Sequence, residues 1–415
     1  MNTESAAAIP APVGRHPLIF IFITRLIDAM GFGIVMPVLP QLLLHMGEPD
    51  VASATRIGGW LLVTYAALQI FFGPIMGNLS DRFGRRPIIL ASLFAYGTDY
   101  LLMGFAPSVL WLFIGRAIAG MAGAVFVPAN AFVADVTPPD RRAHAFGLMG
   151  SAFGLGFILG PGIGGLLGEL GPRAPFFAAP ALAGVNFLFG LIVLPESLPP
   201  ERRREFSLRR ANPLGAVTML KHHPGLLLYA LAMVAHFVAH NVYPSTWAFY
   251  TTAKFEWSSG MIGASLMVTG IAMALAQAFV TGRLVKRIGE VKAAMLGLSV
   301  GIAVAVAYAL ITEGWLVFPL TVIGAIQAIA YPALNALMSR NVPANAQGEL
   351  QGGVASLTSL ANVAGPLLMT QTLAYFTSPL APVYFPGAAF ILAALVNVAA
   401  LTLLMTRRHA EHRAA

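Results

Sequence analysis

Four charged residues, Arg25, Asp28, Asp99 and Arg116, stand inside stretches that are otherwise apolar. A lone Asp or Arg at the centre of a membrane span costs roughly 2.5–3.5 kcal/mol on insertion scales, so residues in such places are read as functional. The chemistry they offer is proton exchange. Desolvation favours the protonated form of a carboxyl group, which lets it take up a proton from one side and release it to the other. If Asp28 or Asp99 holds either H⁺ or a cationic or metal-chelated solute, but never both, two fluxes become coupled. Arg25 lies one turn before Asp28, and this i, i+3 pair reads equally well as two charges that neutralise each other. Asp99 has no partner nearby in sequence.

Uncharged polar residues give a weaker signal. Gln69, Asn130, Gln277, Gln327, Asn335 and Asn362 either line a cavity or bond between helices. His236 and His240 lie one turn apart and are followed by Asn241, Tyr243, Pro244 and Trp247. A metal site needs a third ligand, and none is close in sequence, so proton handling or hydrogen bonding to a solute is the preferred reading. The chain has no cysteine, no nucleophile–base constellation and no GxxxxGK[ST] loop. We therefore expect no enzyme activity, no metal, no cofactor and no use of ATP.

Positioning these residues requires helices that cross a bilayer. Of 415 residues, 57% are hydrophobic and 10% charged, against about 25% charged in soluble domains. Mean hydropathy is +0.76. Apolar runs of roughly 20 residues each span about 30 Å of hydrocarbon. Twelve are present, over 17–43, 56–79, 88–106, 108–136, 143–169, 174–195, 224–250, 258–282, 292–312, 315–340, 348–376 and 381–406. Run length without alternation indicates helices and not barrel strands. Placing the N-terminus in the cytoplasm puts 20 of the 25 Lys and Arg on that side and leaves only Arg56, Arg173 and Lys254 outside. Both termini are therefore expected in the cytoplasm. The net +8 charge is a topology signal and a lipid-headgroup contact, not a nucleic-acid site.

The chain also repeats itself. The segment Gly77-Asn78-Leu79-Ser80-Asp81-Arg82-Phe83-Gly84-Arg85-Arg86-Pro87 is expected as a tight, positively charged loop turning at its two glycines, with Asp81 one turn from Arg85. Its Gly, Leu, Arg and Gly return 205 positions later, from Gly282 to Gly289. Gly160-Pro161 and Gly365-Pro366 share that offset, as do Asn130 and Asn335. Two parallel six-helix halves facing each other across a central cavity follow. The expected organisation is a tail over 1–16, a bundle over 17–195, a linker over 196–223, a second bundle over 224–406 and a tail over 407–415.

These features resemble the major facilitator superfamily: the loop GNLSDRFGRRP, the two halves, and a fifth-span run that contains Gly156, Gly160, Pro161, Gly164 and Gly165 and resembles the antiporter signature. Within it, LIDAMGFGIVMPVLP at 26–40, TDYLLMGFA at 98–106 and ALAQAFVTG at 274–282 resemble the tetracycline/drug–proton antiporter branch. The resemblance implies an all-α membrane protein that exports tetracycline-like amphipathic drugs, some arriving as divalent-metal chelates, against a proton gradient. The alternative is another metabolite, such as a siderophore, sugar or organic acid. It further implies a monomer in a bacterial-type inner membrane. It assigns Asp28, Asp99 and Arg116 to substrate and proton binding. It implies that Gly77, Asp81, Arg82, Gly84, Arg85, Arg86 and Asp135 form a gate, the alternative being fixed surface ion pairs, and that the 156–165 run is a packing and bending surface, the alternative being close packing without movement. The chain departs from the branch at Met273 and Gly301, which replace a histidine and an acidic residue. Either the first-half aspartates suffice, or His236 and His240 supply the titratable site of the second half.

Overall fold

The computed structural model describes residues 15–123, 126–206, 220–343 and 346–414. Residues 1–14 of the tail expected over 1–16, and residues 207–219 of the linker, with Arg209 and Arg210, lie outside the described residues. Among the described residues, twelve helices are long and apolar enough to cross a membrane. They are α1 Arg15–Val35, α2 Val51–Phe83, α3 Arg85–Phe105, α4 Val109–Ala122 with Phe126–Val136, α5 Arg142–Glu169 and α6 Pro175–Val193. The second half holds α7 Leu227–His240 with Val242–Phe255, α8 Ser259–Leu275 continuing to Ile288, and α9 Glu290–Leu310. It ends with α10 Val317–Gly324 continuing to Arg340, α11 Gln347–Thr377 and α12 Ala388–Ala414.

Several boundaries differ from the expected ones for local reasons. The first span stops at Val35, and Leu39–His45 forms a separate short helix, because Pro37 and Pro40 have no N–H to continue the ladder. The second starts at Val51, where the Asp50 carboxylate caps it by accepting from the Ser53 N–H at 2.7 Å. The seventh runs on to Phe255 and closes at Glu256 in the left-handed region, φ 55°.

The expected loop around 77–87 is mostly helix. α2 continues through Gly77 to Phe83, and α3 begins at Arg85. Only Gly84 turns left-handed, at φ +104°, matched by Gly289 at φ +81°. Gly77 needs no positive φ, since one such residue suffices to end a helix and redirect the chain.

In the first half, α5 lies against α1 along Gly156, Gly160 and Gly164, a stripe of small residues that lets two backbones approach. A methyl on Gly160 would stand 2.6 Å from the Met30 carbonyl oxygen. The next residue pair crosses to the other half: a methyl on Gly165 would stand 2.6 Å from the Ser259 carbonyl oxygen on α8. Gly59 on α2 meets Thr370 on α11 in the equivalent crossing. Toward the opposite end, Gly147, Gly150 and Gly154 of α5, and Gly348 and Gly352 of α11, face open space. The halves thus touch at one end and part at the end that carries Gly84 and Gly289.

Candidate functional site

Between the parted halves lies a cavity of about 1010 Å³. The first half contributes Arg25 of α1, Asn130 of α4, and Met149 and Phe153 of α5. The second contributes His236 and His240 of α7, Met273 and Gln277 of α8, Gln327 and Tyr331 of α10, and Asn362 of α11. Arg25 is the wall's one permanent charge among the described residues.

At the inner end a smaller pocket of about 100 Å³ shares His240, Met273 and Gln327 with this cavity. Tyr243, Trp247, Tyr308, Met36 and Phe157 line it. Trp247 and Tyr308 meet edge to face at 5.1 Å, and the Trp247 indole N–H donates to Ser265 Oγ at 2.9 Å. Packing on several sides holds these rings, so a flat apolar ligand meets a preformed surface.

Three helices of the second half lose regular α geometry at the cavity. Pro244 has no N–H for the His240 carbonyl, and α7 breaks at Asn241. Pro332 does the same for Ala328 in α10, beside a 3₁₀ stretch, Ala325–Ile329, that carries Gln327. In α8, Ala276–Thr281 forms a π-helical segment, which places Gln277 and Thr281 on the wall.

Of the other residues expected on the wall, Gln69, Asn241 and Asn335 are used elsewhere. Gln69 donates to Tyr65 Oη and the Gly123 carbonyl, both at 3.2 Å. Asn241 donates to the Phe237 carbonyl at 2.9 Å and to Asn362 Oδ1 at 3.2 Å. Asn335 accepts from Gln351 at 3.4 Å. Each joins helices, which satisfies a polar group where water is scarce. Asn397, which sequence reasoning passed over, lies 3.2 Å through Oδ1 from His236 Nδ1. Gly301 faces the same Asn397 and Gln327.

The charged residues divide into two sets. Arg25 faces the main cavity, whereas Asp28, 3.8 Å away, borders a space of about 20 Å³ with Tyr96 and Tyr100 behind α1. Asp99 does have a partner: its carboxylate accepts from Arg116 Nη2 across α3 and α4, and neither residue reaches the main cavity. Their separation of 17 residues hides the pair from any local reading.

At the Gly84 turn, Arg85 Nη1 donates to Asp81 and to Ser80, both at 2.5 Å, and Nε donates to Asp135 at 3.3 Å. Arg86 donates to the Leu191 carbonyl at 2.7 Å, and the Arg82 guanidinium lies over the Phe83 ring. Glu196 is the residue that sequence reasoning missed here. Its carboxylate accepts from the Arg85 N–H at 2.8 Å and caps α3. Ser197 donates to Asp135 at 3.1 Å. In the second half, Arg340 donates to Glu290 at 2.6 Å.

Comparison with known proteins agrees with this architecture. A family model described as Major Facilitator Superfamily matches residues 21–366 and 242–415. A class C tetracycline resistance protein of Escherichia coli is 42% identical over 96% of this chain and 98% of its own length. Multidrug resistance protein 2 of Bacillus subtilis (strain 168) is 30% identical over 82% of this chain and 84% of its own. The crystal structure of a human organic anion transporter superposes with a TM-score of 0.66 at 25% identity, covering 94% of this chain and 99% of that one. With twelve helices in two facing halves around one cavity, the chain belongs to the Major Facilitator Superfamily.

Proposed function

We propose that the protein exports tetracycline-like amphipathic drugs in exchange for protons. A single observation carries the reading: a large cavity between the halves is closed at one end and open at the other, in a chain 42% identical to a tetracycline resistance protein. The basic Gly84 end lies in the cytoplasm by the positive-inside rule, so the cavity opens inward and both termini are cytoplasmic. The protein works as a monomer in the cytoplasmic membrane. Drug enters between α5 and α8 and stacks on the rings of Tyr243, Trp247 and Tyr308.

Release requires the outer contacts to part. Gly165 must leave Ser259, and the Glu169 carboxylate must release the Gly260 N–H, which donates to it at 2.6 Å across the halves. Asp28 carries the proton in the first half. His236 and His240 stand in for the ionisable side chains that Met273 and Gly301 do not provide, and Asn397 orients His236. The proton gradient, with the membrane potential at about 2.3 kcal/mol per charge per 100 mV, supplies the energy.

The test is proton movement in proteoliposomes with an imposed ΔpH on adding tetracyclines and other amphipathic drugs, for wild type, Asp28→Asn and His236→Ala/His240→Ala. Drug-dependent H⁺ flux that both variants abolish is expected. No flux with any drug, from folded protein, would make drug export the wrong reading.

A further inference from the structure

We propose that Arg25 receives an anionic oxygen of the transported molecule and exchanges it for Asp28. This rests on reading the cavity as a transport site. Arg25 is 3% exposed and lies on the cavity wall, with its guanidinium 3.7 Å from the centre of the Phe126 ring. Its Nε and Nη1 have no hydrogen-bond partner among the described residues. Asp28 stands at 3.8 Å, near enough to balance the charge but too far to accept a hydrogen bond.

A guanidinium carries five donors in a fixed fork, and leaving buried donors unmade is costly. Both atoms are covered where they stand, so a carboxylate, sulfonate or enolate oxygen in the cavity satisfies them once the side chain turns toward it. The centre of the Phe126 ring lies 3.7 Å from the guanidinium, and the planar fork of an arginine matches the planar group of such an anion edge to edge. Across the cavity, His236 and His240 present no negative charge, and no carboxylate lies on the wall among the described residues. The cavity's electrostatics therefore suit an aromatic anion or zwitterion, with its rings toward Trp247 and its acidic oxygen toward Arg25. Once Arg25 turns to the ligand, Asp28 loses its balancing charge and is free to take a proton. Ligand arrival and proton uptake then share one residue.

The test uses the full chain in lipid nanodiscs and two probes of equal shape, 2-naphthoate and its neutral amide 2-naphthamide. Wild type is expected to bind the naphthoate about tenfold or more tightly than the amide, the scale of one charge-assisted hydrogen-bonded contact. Arg25→Gln should erase that preference while leaving naphthamide binding in place, and Arg25→Lys should keep part of it. Because Asp28 competes for the same cation, Asp28→Asn should tighten naphthoate severalfold and leave naphthamide unchanged, which supports the assignment even if Arg25→Gln does not fold. A preference that survives in Arg25→Gln, or its absence from wild type, overturns the proposal. Tetracycline-driven proton flux measured on the same preparations separates the two readings. Flux without an Arg25-dependent preference defeats only this inference. The preference without flux defeats only the drug reading.

Discussion

The Asp99 carboxylate and the Arg116 guanidinium are buried against each other between α3 and α4, with side chains 0% and 9% exposed, and neither lines the large cavity. One hydrogen bond joins them, while Asp99 Oδ1 and Arg116 Nε have no partner among the described residues. A pair so enclosed holds two helices together, and losing one member strands the other charge, at about 3–5 kcal/mol. Asp99→Asn should therefore lower the melting temperature in detergent, and Asp99→Asn/Arg116→Gln should recover part of the loss. A single variant as stable as wild type would remove the pair from the fold's support.

Two glycines six residues apart on α5 should behave oppositely. Gly160→Ala drives a methyl to 2.6 Å from the Met30 carbonyl, whereas Gly154 has nothing within 4 Å of the added atom. Forcing apart a packed backbone contact costs about 1–3 kcal/mol. Replacing an open helical glycine by alanine gains up to about 1 kcal/mol. Thermal unfolding of the two variants should show a clear drop for Gly160→Ala and none for Gly154→Ala.

The chain has no native cysteine, so single replacements can be labelled without background. Gly150→Cys, at the open end, should react quickly with a water-soluble maleimide, and Ser259→Cys, 4% exposed at the closed end, should react slowly. Saturating drug with an outward-to-inward proton gradient should slow the first and speed the second. Rates that stay fixed for both under every condition would argue against alternating access.

The twelve spans and the 205-residue repeat are legible because hydropathy and glycine spacing are local properties of the chain. The Asp81–Arg85 contact is legible because the two lie four residues apart in sequence, although the structure makes it across the Gly84 turn, between the end of α2 and the start of α3. Which face a helix turns to the cavity is not legible. His240 lies on the wall and Asn241 does not, although they are neighbours, because each residue advances about 100° around the axis and packing of α7 on α11 decides the rotation. Glu196 at the start of α3 is 111 residues from the N–H it caps, and only tertiary folding brings them together. Arg25 is visible as a charge in an apolar run, but its exposure to the cavity depends on how α1 seats against the α5 glycines.

One relation stands in the numbering itself. Adding 205 to Arg85 gives Glu290, and adding 205 to Asp135 gives Arg340. The structure pairs both sets, Arg85 with Asp135 at 3.3 Å and Arg340 with Glu290 at 2.6 Å. The two halves therefore hold the same ion pair at the same place with its signs exchanged. Since each backbone accepts one polarity, the geometry of the site does not demand a particular sign, only opposite charges. Asp135→Arg should then fail through repulsion with Arg85 and reduce drug-dependent proton flux about tenfold. Arg85→Glu/Asp135→Arg, which copies the second half's arrangement into the first, should recover a substantial part of it. Recovery will be incomplete, because Asp81 and Ser80 also accept from Arg85 and a glutamate there leaves both without their donor. Flux in the double variant no better than in Asp135→Arg would mean that the first-half pair is tied to its polarity by something other than its partner, with the Asp81 contact the first place to look.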